Sequence, residues 1–345
     1  MSPGVPAAPA RSLSRSNRQR ASWLAGLAAL LAVIAATSLF VGSGAIEPRE
    51  VWRALTEGGT DTTALLINDF RVPRMLIALV VGAALGLAGA VIQVITRNPL
   101  ADPGILGVNA GAYLAVVIAI TWFGATSVTS YVWWSFVGAV VVSIAVYLIG
   151  WSRGAGVTPV RLVLAGVAVS YLLNGISFGI TLVYPEVFDK IRFWSAGSLQ
   201  GRQLDVLLGV LPFLAVGIAV VLVLARSLNI VALGDELAAS LGAHPLRIRI
   251  IGLLAITLLC GAATAAAGPI AFLGLMAPYV ARAVVGPDQR WLIPLTAVIA
   301  PIIFLLADML GRVLAQGEVP VGLVTAFVGA PLLVILIRSS KARSL

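Results

Sequence analysis

Charge is scarce in this sequence. Only 11% of its 345 residues are Asp, Glu, Lys or Arg, against roughly 25% in a soluble domain. Hydrophobic residues make up 60%, so most side chains face lipid or one another. One cysteine, Cys260, excludes an intrachain disulfide, and one histidine, His244, leaves no Cys/His metal cluster. Cys260 reads as a small apolar packing residue within a span, and His244 as a solvated loop residue. The two lysines, Lys190 and Lys341, stand in DKI and SKA. Neither completes the phosphate-cradling loop G-x-x-x-x-G-K-S/T. The chain reads as no enzyme, with no cofactor or metal of its own.

The net charge is +9. No basic stripe interleaved with aromatics accompanies it, which argues against a nucleic-acid partner. Arginine instead marks the cytoplasmic loops of a membrane protein. Residues 1–20 are rich in Pro, Ala, Ser and Arg and read as a disordered cytoplasmic tail. The apolar run 21–41 is longer than a signal-peptide core and near the length of a span. Nine further apolar segments follow, at about 75–95, 104–123, 131–151, 160–183, 204–226, 247–267, 270–285, 291–311 and 321–338. The fold class read from them is all-α, integral to the membrane, with ten spans across residues 21–345. With both termini inside, fifteen Arg and Lys fall on inner segments and eight on outer ones, as the positive-inside tendency requires.

A transporter needs an energy source. Ion-driven carriers place an ionisable group deep in the membrane. Thirteen of the 14 acids lie in loops or at span ends. Asp308 alone lies inside a span, and Arg312 follows one turn later, a spacing that suits an i,i+4 ion pair. A structural pair is the better reading. An ion-coupled carrier is the runner-up and a membrane scaffold the third class.

One polar passage interrupts the apolar sequence: GDELAASLGAHP, residues 234–245. Gly234 breaks the preceding segment. Asp235 and Glu236 favour the positive end of a helix. Leu237 and Leu241 share a face. Gly242 stops the helix and Pro245 prevents its continuation. The passage therefore predicts a short capped helix over 234–242, either a partner's docking point or a plain cytoplasmic turn.

Four stretches then identify a relationship. RVPRMLIALVVGAALGLAGAVIQVITRNPLADPGILGVNAGA (71–112), ALGDELAASLGAHPLRIR (232–249), GPIAFLGLMAPYVARAVVGPDQR (268–290) and GEVPVGLVTAFVGAPLLVILI (317–337) resemble the FecCD family. Its members are permease subunits of bacterial ABC importers for ferric siderophores, haem and cobalamin. The resemblance implies a ten-helix, inverted-repeat type II importer fold in the bacterial inner membrane. It implies three partners: a cytoplasmic ATPase dimer that holds ATP and Mg, a second permease subunit, and an extracytoplasmic binding protein. A ferric siderophore is the expected cargo, with haem or cobalamin as alternatives. It further implies that Gly234, Asp235, Glu236, Ala238, Leu241 and Gly242 couple to the ATPase. Arg71, Arg74 and Arg312 would receive glutamates of the binding protein; snorkelling to lipid headgroups is the alternative.

Gly82, Gly86 and Gly89 recur at helical spacing and read as a close packing surface. Ala88-Gly89 precedes Pro99 by the interval that separates Ala267-Gly268 from Pro278, a faint echo of an inverted repeat. Gln93, Asn109 and Asn174 are polar groups in or beside spans. They either line a translocation path or hydrogen-bond between helices.

Overall fold

Between Arg74 and Arg97 the chain carries no charge and holds three glycines at helical spacing. Such a segment is uniformly apolar, so its helix is buried on all sides. The computed structural model describes residues 16–42, 46–125, 127–152, 156–157, 159–315 and 317–341. Its elements are α1 (Asn17–Ser38), α2 (Pro48–Thr56), α3 (Thr62–Leu65), α4 (Val72–Thr96), α5 (Val108–Phe123), α6 (Val128–Gly150), α7 (Pro159–Val183) and α8 (Pro185–Ser195). There follow α9 (Leu204–Ala232), α10 (Asp235–Ser240), α11 (Pro245–Ala267), α12 (Leu273–Val285), α13 (Gln289–Leu314) and α14 (Val321–Lys341). A π-helical turn, Leu66–Arg71, leads into α4, and a 3-10 turn, Pro103–Leu106, precedes α5. Between α6 and α7, Trp151 pairs with Val157 and Ser152 with Gly156 in a two-residue antiparallel ladder.

α4 is the axis of the fold. Every residue from Ala84 to Thr96 is buried, with α9, α11, α12 and α13 packed around it. The glycines permit that packing. A Cβ on Gly89 would stand 1.7 Å from the carbonyl oxygen of Gly274 in α12, and one on Gly86 would stand 2.4 Å from Cβ of Ala300 in α13. The apolar exteriors of α6, α7 and α9 remain exposed, for example at Leu148, Tyr171 and Val223.

All ten apolar segments are helices. Among the described residues, seven helices are long and apolar enough to span a bilayer, by length and composition alone. Val108–Phe123, Leu273–Val285 and Val321–Ile335 are shorter. At 1.5 Å per residue α5 reaches only about 24 Å, against a hydrocarbon core of about 30 Å.

Boundaries shift as well. Of the tail read over 1–20, residues 1–15 lie outside the described residues. Residues 17–20 belong to α1, whose start is fixed by a capping box between Ser16 and Gln19. α9 runs six residues past the predicted end at 226, delivering the chain directly to Gly234. The two echoing prolines sit in unlike settings: Pro99 follows the end of α4, whereas Pro278 lies inside α12.

Hydrogen bonds define two ends. At one, Arg312 near the C-terminus of α13 donates to the carbonyls of Ser38 and Val41 after α1, at 2.9 and 3.0 Å. At the other, α9 finishes, α10 sits, and α11 and α13 begin. Asn229 of α9 donates to Asp288, the N-cap of α13, at 2.7 Å, and Arg20 of α1 approaches the same carboxylate at 3.6 Å.

Candidate functional site

At the α10 end, the polar passage folds as its punctuation predicts. Gly234 has φ +116° and Gly242 φ +78°, and the helix between them is Asp235–Ser240. The end is a Schellman cap: Ala243 N donates to Ala238 O at 3.0 Å and Gly242 N to Ala239 O at 2.9 Å. Ala238 packs inward at 0% exposure while Leu237 and Leu241 stand outside at 57% and 63%. Asp235 takes two arginines, Arg97 at 2.5 Å from the end of α4 and Arg249 at 2.8 Å from α11. The short helix is thus tied to the central helix and to the helix that follows it. His244 is the exposed N-cap of α11.

Nearby, Asp288 accepts from Arg290 Nε and Nη2 and from Asn229. The Arg290 contacts, with help from Asn229, hold its pKa at about 2, so it stays charged at any physiological pH.

At the Asp308 end, three predicted arginines converge. Asp308, 1% exposed, accepts from Arg74 at 2.8 Å and from Arg312 one turn later in α13. Arg74 also reaches Glu318 at 2.8 Å. Arg71 donates to Leu39 O at 2.7 Å. These three guanidinium groups and Glu318 line a cavity of about 330 Å³, with Gln200 and Gly201. Three cations face two carboxylates, so the cluster keeps a positive charge. Arg202 follows directly. It is 5% exposed, and Nε and Nη1 have no hydrogen-bond partner. Burial lowers its pKa to about 10, which leaves it cationic at neutral pH. The i,i+4 pair was readable in sequence. The Arg74 bonds were not, because Asp308 lies 234 residues away.

Between the ends, Asn109 and Asn174 line one cavity of about 480 Å³ with Tyr113, Ser170 and Ser195. A second, of about 510 Å³, shares Tyr113 and Asn174 and adds Phe178, Thr181 and Asp189. The two hollows form one continuous lining of aromatic and weakly polar groups along α5, α7 and α8. Asn109 accepts from Thr264 at 3.0 Å. Gln93 stands apart from both: it is 3% exposed, donates to Leu275 O at 3.3 Å and accepts from Arg282 at 3.2 Å. It bridges α4 and α12. Tyr113, Phe178 and Thr181 gave no signal in the sequence, being ordinary residues of apolar segments. No group of three or more His, Cys, Asp or Glu that would hold a metal ion occurs among the described residues.

Known proteins share this architecture. The chain is 47% identical over 320 residues to the ferric enterobactin transport system permease protein of Escherichia coli (strain K12), covering 92% of this chain and 96% of that one. It is 40% identical over 320 residues to the iron(3+)-hydroxamate import system permease protein FhuB of Bacillus subtilis (strain 168), covering 92% and 83%. A solved structure described as an inward-facing metal-chelate type ABC transporter superposes with a TM-score of 0.79 at 27% identity, over 92% of this chain and 99% of that one. The model of the FecCD transport family matches residues 30–339, and the chain belongs to that family.

Proposed function

We propose that this protein is a permease subunit of a binding-protein-dependent ABC importer that carries ferric siderophores across a bacterial inner membrane. The observation that carries the reading is α10. It is a short helix bounded by Gly234 and by a Schellman cap at Gly242, bound to two long helices through Asp235, with Leu237 and Leu241 exposed beside Leu233 and Leu246. Exposed apolar residues on a rigid mount suit a partner's groove. A separate ATPase, carrying ATP and Mg, would push there on Gly234, Asp235, Glu236, Ala238, Leu241 and Gly242. The α10 end is then cytoplasmic, and with it both termini. The alternating ends of successive helices support ten crossings by the whole segment 21–345, the three shorter helices completed by their flanking turns. The inverted repeat stays part of the same proposal.

At the opposite face, the positive cavity of Arg71, Arg74 and Arg312 suits carboxylates of a binding protein, since guanidinium groups match carboxylates bidentately. Asn109 and Asn174 line the path, with Gln93 one helix behind. Both hollows open on the exposed side of α7, so a second permease, identical or paralogous, would close the channel. A wide lining without a metal-ion cluster suits a chelated metal rather than a bare one. The relatives named for enterobactin and hydroxamate import support a siderophore as cargo.

Reconstitution tests this. Liposomes holding the permease, its ATPase and its binding protein should accumulate ferric siderophore only with ATP. Uptake by the permease alone on an ion gradient would overturn the reading in favour of an ion-coupled carrier.

A further inference from the structure

A third hollow, which shares no lining residue with the path cavities, contains polar atoms with nothing to bond. It measures about 180 Å³ and lies between α6, α7 and α11, walled by Ile144, Leu162, Ile250 and Leu254 among others. Its lining is apolar except for a few hydroxyls. Two of these, Ser143 Oγ and Tyr147 Oη, are buried without a hydrogen-bond partner. Ser143 is 7% exposed. A hydroxyl inside a helix ordinarily bonds back to the carbonyl four residues earlier. Thr257 on the facing wall does so, to Leu253 at 3.0 Å. A buried hydroxyl left unpaired is costly, so the cavity calls for an occupant that is apolar and carries acceptors.

We propose that this cavity holds one acyl chain of an anionic phospholipid. The lipid's ester carbonyls accept from Ser143 and Tyr147, and its phosphate sits by Arg161 and Arg247. Depth supports this. Tyr147 lies one turn from the last residue of α6, Leu162 near the start of α7, and Ile250 in the second turn of α11. Along α6, Tyr147 therefore lies about 5 Å and Ser143 about 10 Å inside the helix end, so the pair spans the depth from the ester groups to the first part of an acyl chain. The mouth faces lipid: Ile144 and Leu254 are 47% and 55% exposed. Charge is complementary. Arg161 precedes Leu162, Arg247 stands one turn before Ile250, and both are exposed. Each lies in the first turn of its helix, with no acid in either turn, so the free N–H groups reinforce the attraction for phosphate. Trp151, 42% exposed and with its ring centroid 5.9 Å from that of Tyr147, suits the headgroup level.

The occupied cavity braces α11, the helix that follows α10. On the coupling reading above, losing the lipid weakens stimulation of the ATPase. Lipid retention itself is independent of that reading.

The test is native mass spectrometry of the purified full chain from micelles holding equal phosphatidylglycerol and phosphatidylcholine. One phosphatidylglycerol should stay bound per copy. R161Q and R247Q should each weaken retention about fivefold. L254W, which fills the mouth, should abolish it, while V223W, at an 80% exposed site on α9, should leave it intact. Should L254W fail to fold, the two exposed arginines decide the matter. Equal retention of both lipids, indifference to R161Q and R247Q, or equal loss in V223W and L254W would overturn the proposal.

Discussion

The two ends of this molecule use the same chemistry in opposite ways. At one end Asp308, 1% exposed, is locked between Arg74 and Arg312. At the other Asp235, with half its side chain exposed, takes Arg97 and Arg249. Each carboxylate joins two arginines from different places, yet burial separates their roles. A buried pair is desolvated, so losing one partner leaves an uncompensated charge. An exposed pair is screened and contributes little to stability. The first is a structural fixture. The second orients a surface helix and can be remade during a conformational cycle.

The largest effect should come from D308A. It leaves Arg312 buried without its carboxylate and Arg74 with Glu318 alone, and should cost about 3–5 kcal/mol in denaturant unfolding. A loss below about 1 kcal/mol would erase the distinction between the ends. G242W comes next and acts on function. A Cβ at Gly242 meets nothing within 4 Å, so the bulk points outward. The positive φ of +78° costs any side chain roughly 1–2 kcal/mol. G242A carries that backbone cost without the bulk. Uptake should vanish in G242W and persist in G242A; normal uptake by both would remove the docking role from α10. On the docking reading, E318Q should free Arg74 from one partner, make the Arg71, Arg74 and Arg312 cavity more positive and tighten capture of the loaded binding protein severalfold, most at low ionic strength. Unchanged capture at low salt would place docking elsewhere.

D235N should lower stability by less than about 1 kcal/mol, seen in the same unfolding assay, while loosening α10. The smallest effect is the acid response of Asp288. Its folded pKa, about 2, lies below its unfolded value, near 3.9. The stability it supplies is therefore complete above about pH 4 and is lost as pH falls through 2. R290Q removes the largest cause of the shift, so its acid unfolding should begin at higher pH.

Hydropathy exposed the ten apolar segments because lipid demands long uncharged runs. It did not expose α2 and α8, which are short and carry charge, or α3, which is a single turn. α10 was legible because glycine and proline punctuate it, and the Asp308–Arg312 pair because its partners lie one turn apart. Arg74's share of that carboxylate, the bridge from Gln93 to Arg282 and the hollow around Tyr113 were not, since each joins residues brought together only by packing. Helix length was less legible than apolar length: glycine and proline end α5 and α12 short of the apolar runs that hold them.

The contact between Gly89 and Gly274 has a mechanical corollary. Two backbones that leave no room for a methyl group between them have no freedom to roll or slide on each other. α4 and α12 must then travel as a single strut, and α13, seated on Gly86, with them. Gly175 and Gly179, in α7, have open space beside them. Opening and shutting would fall to the half of α7 beyond Gly166, a position where a Cβ would stand 1.7 Å from Ile105 O, swinging about a spine that does not bend.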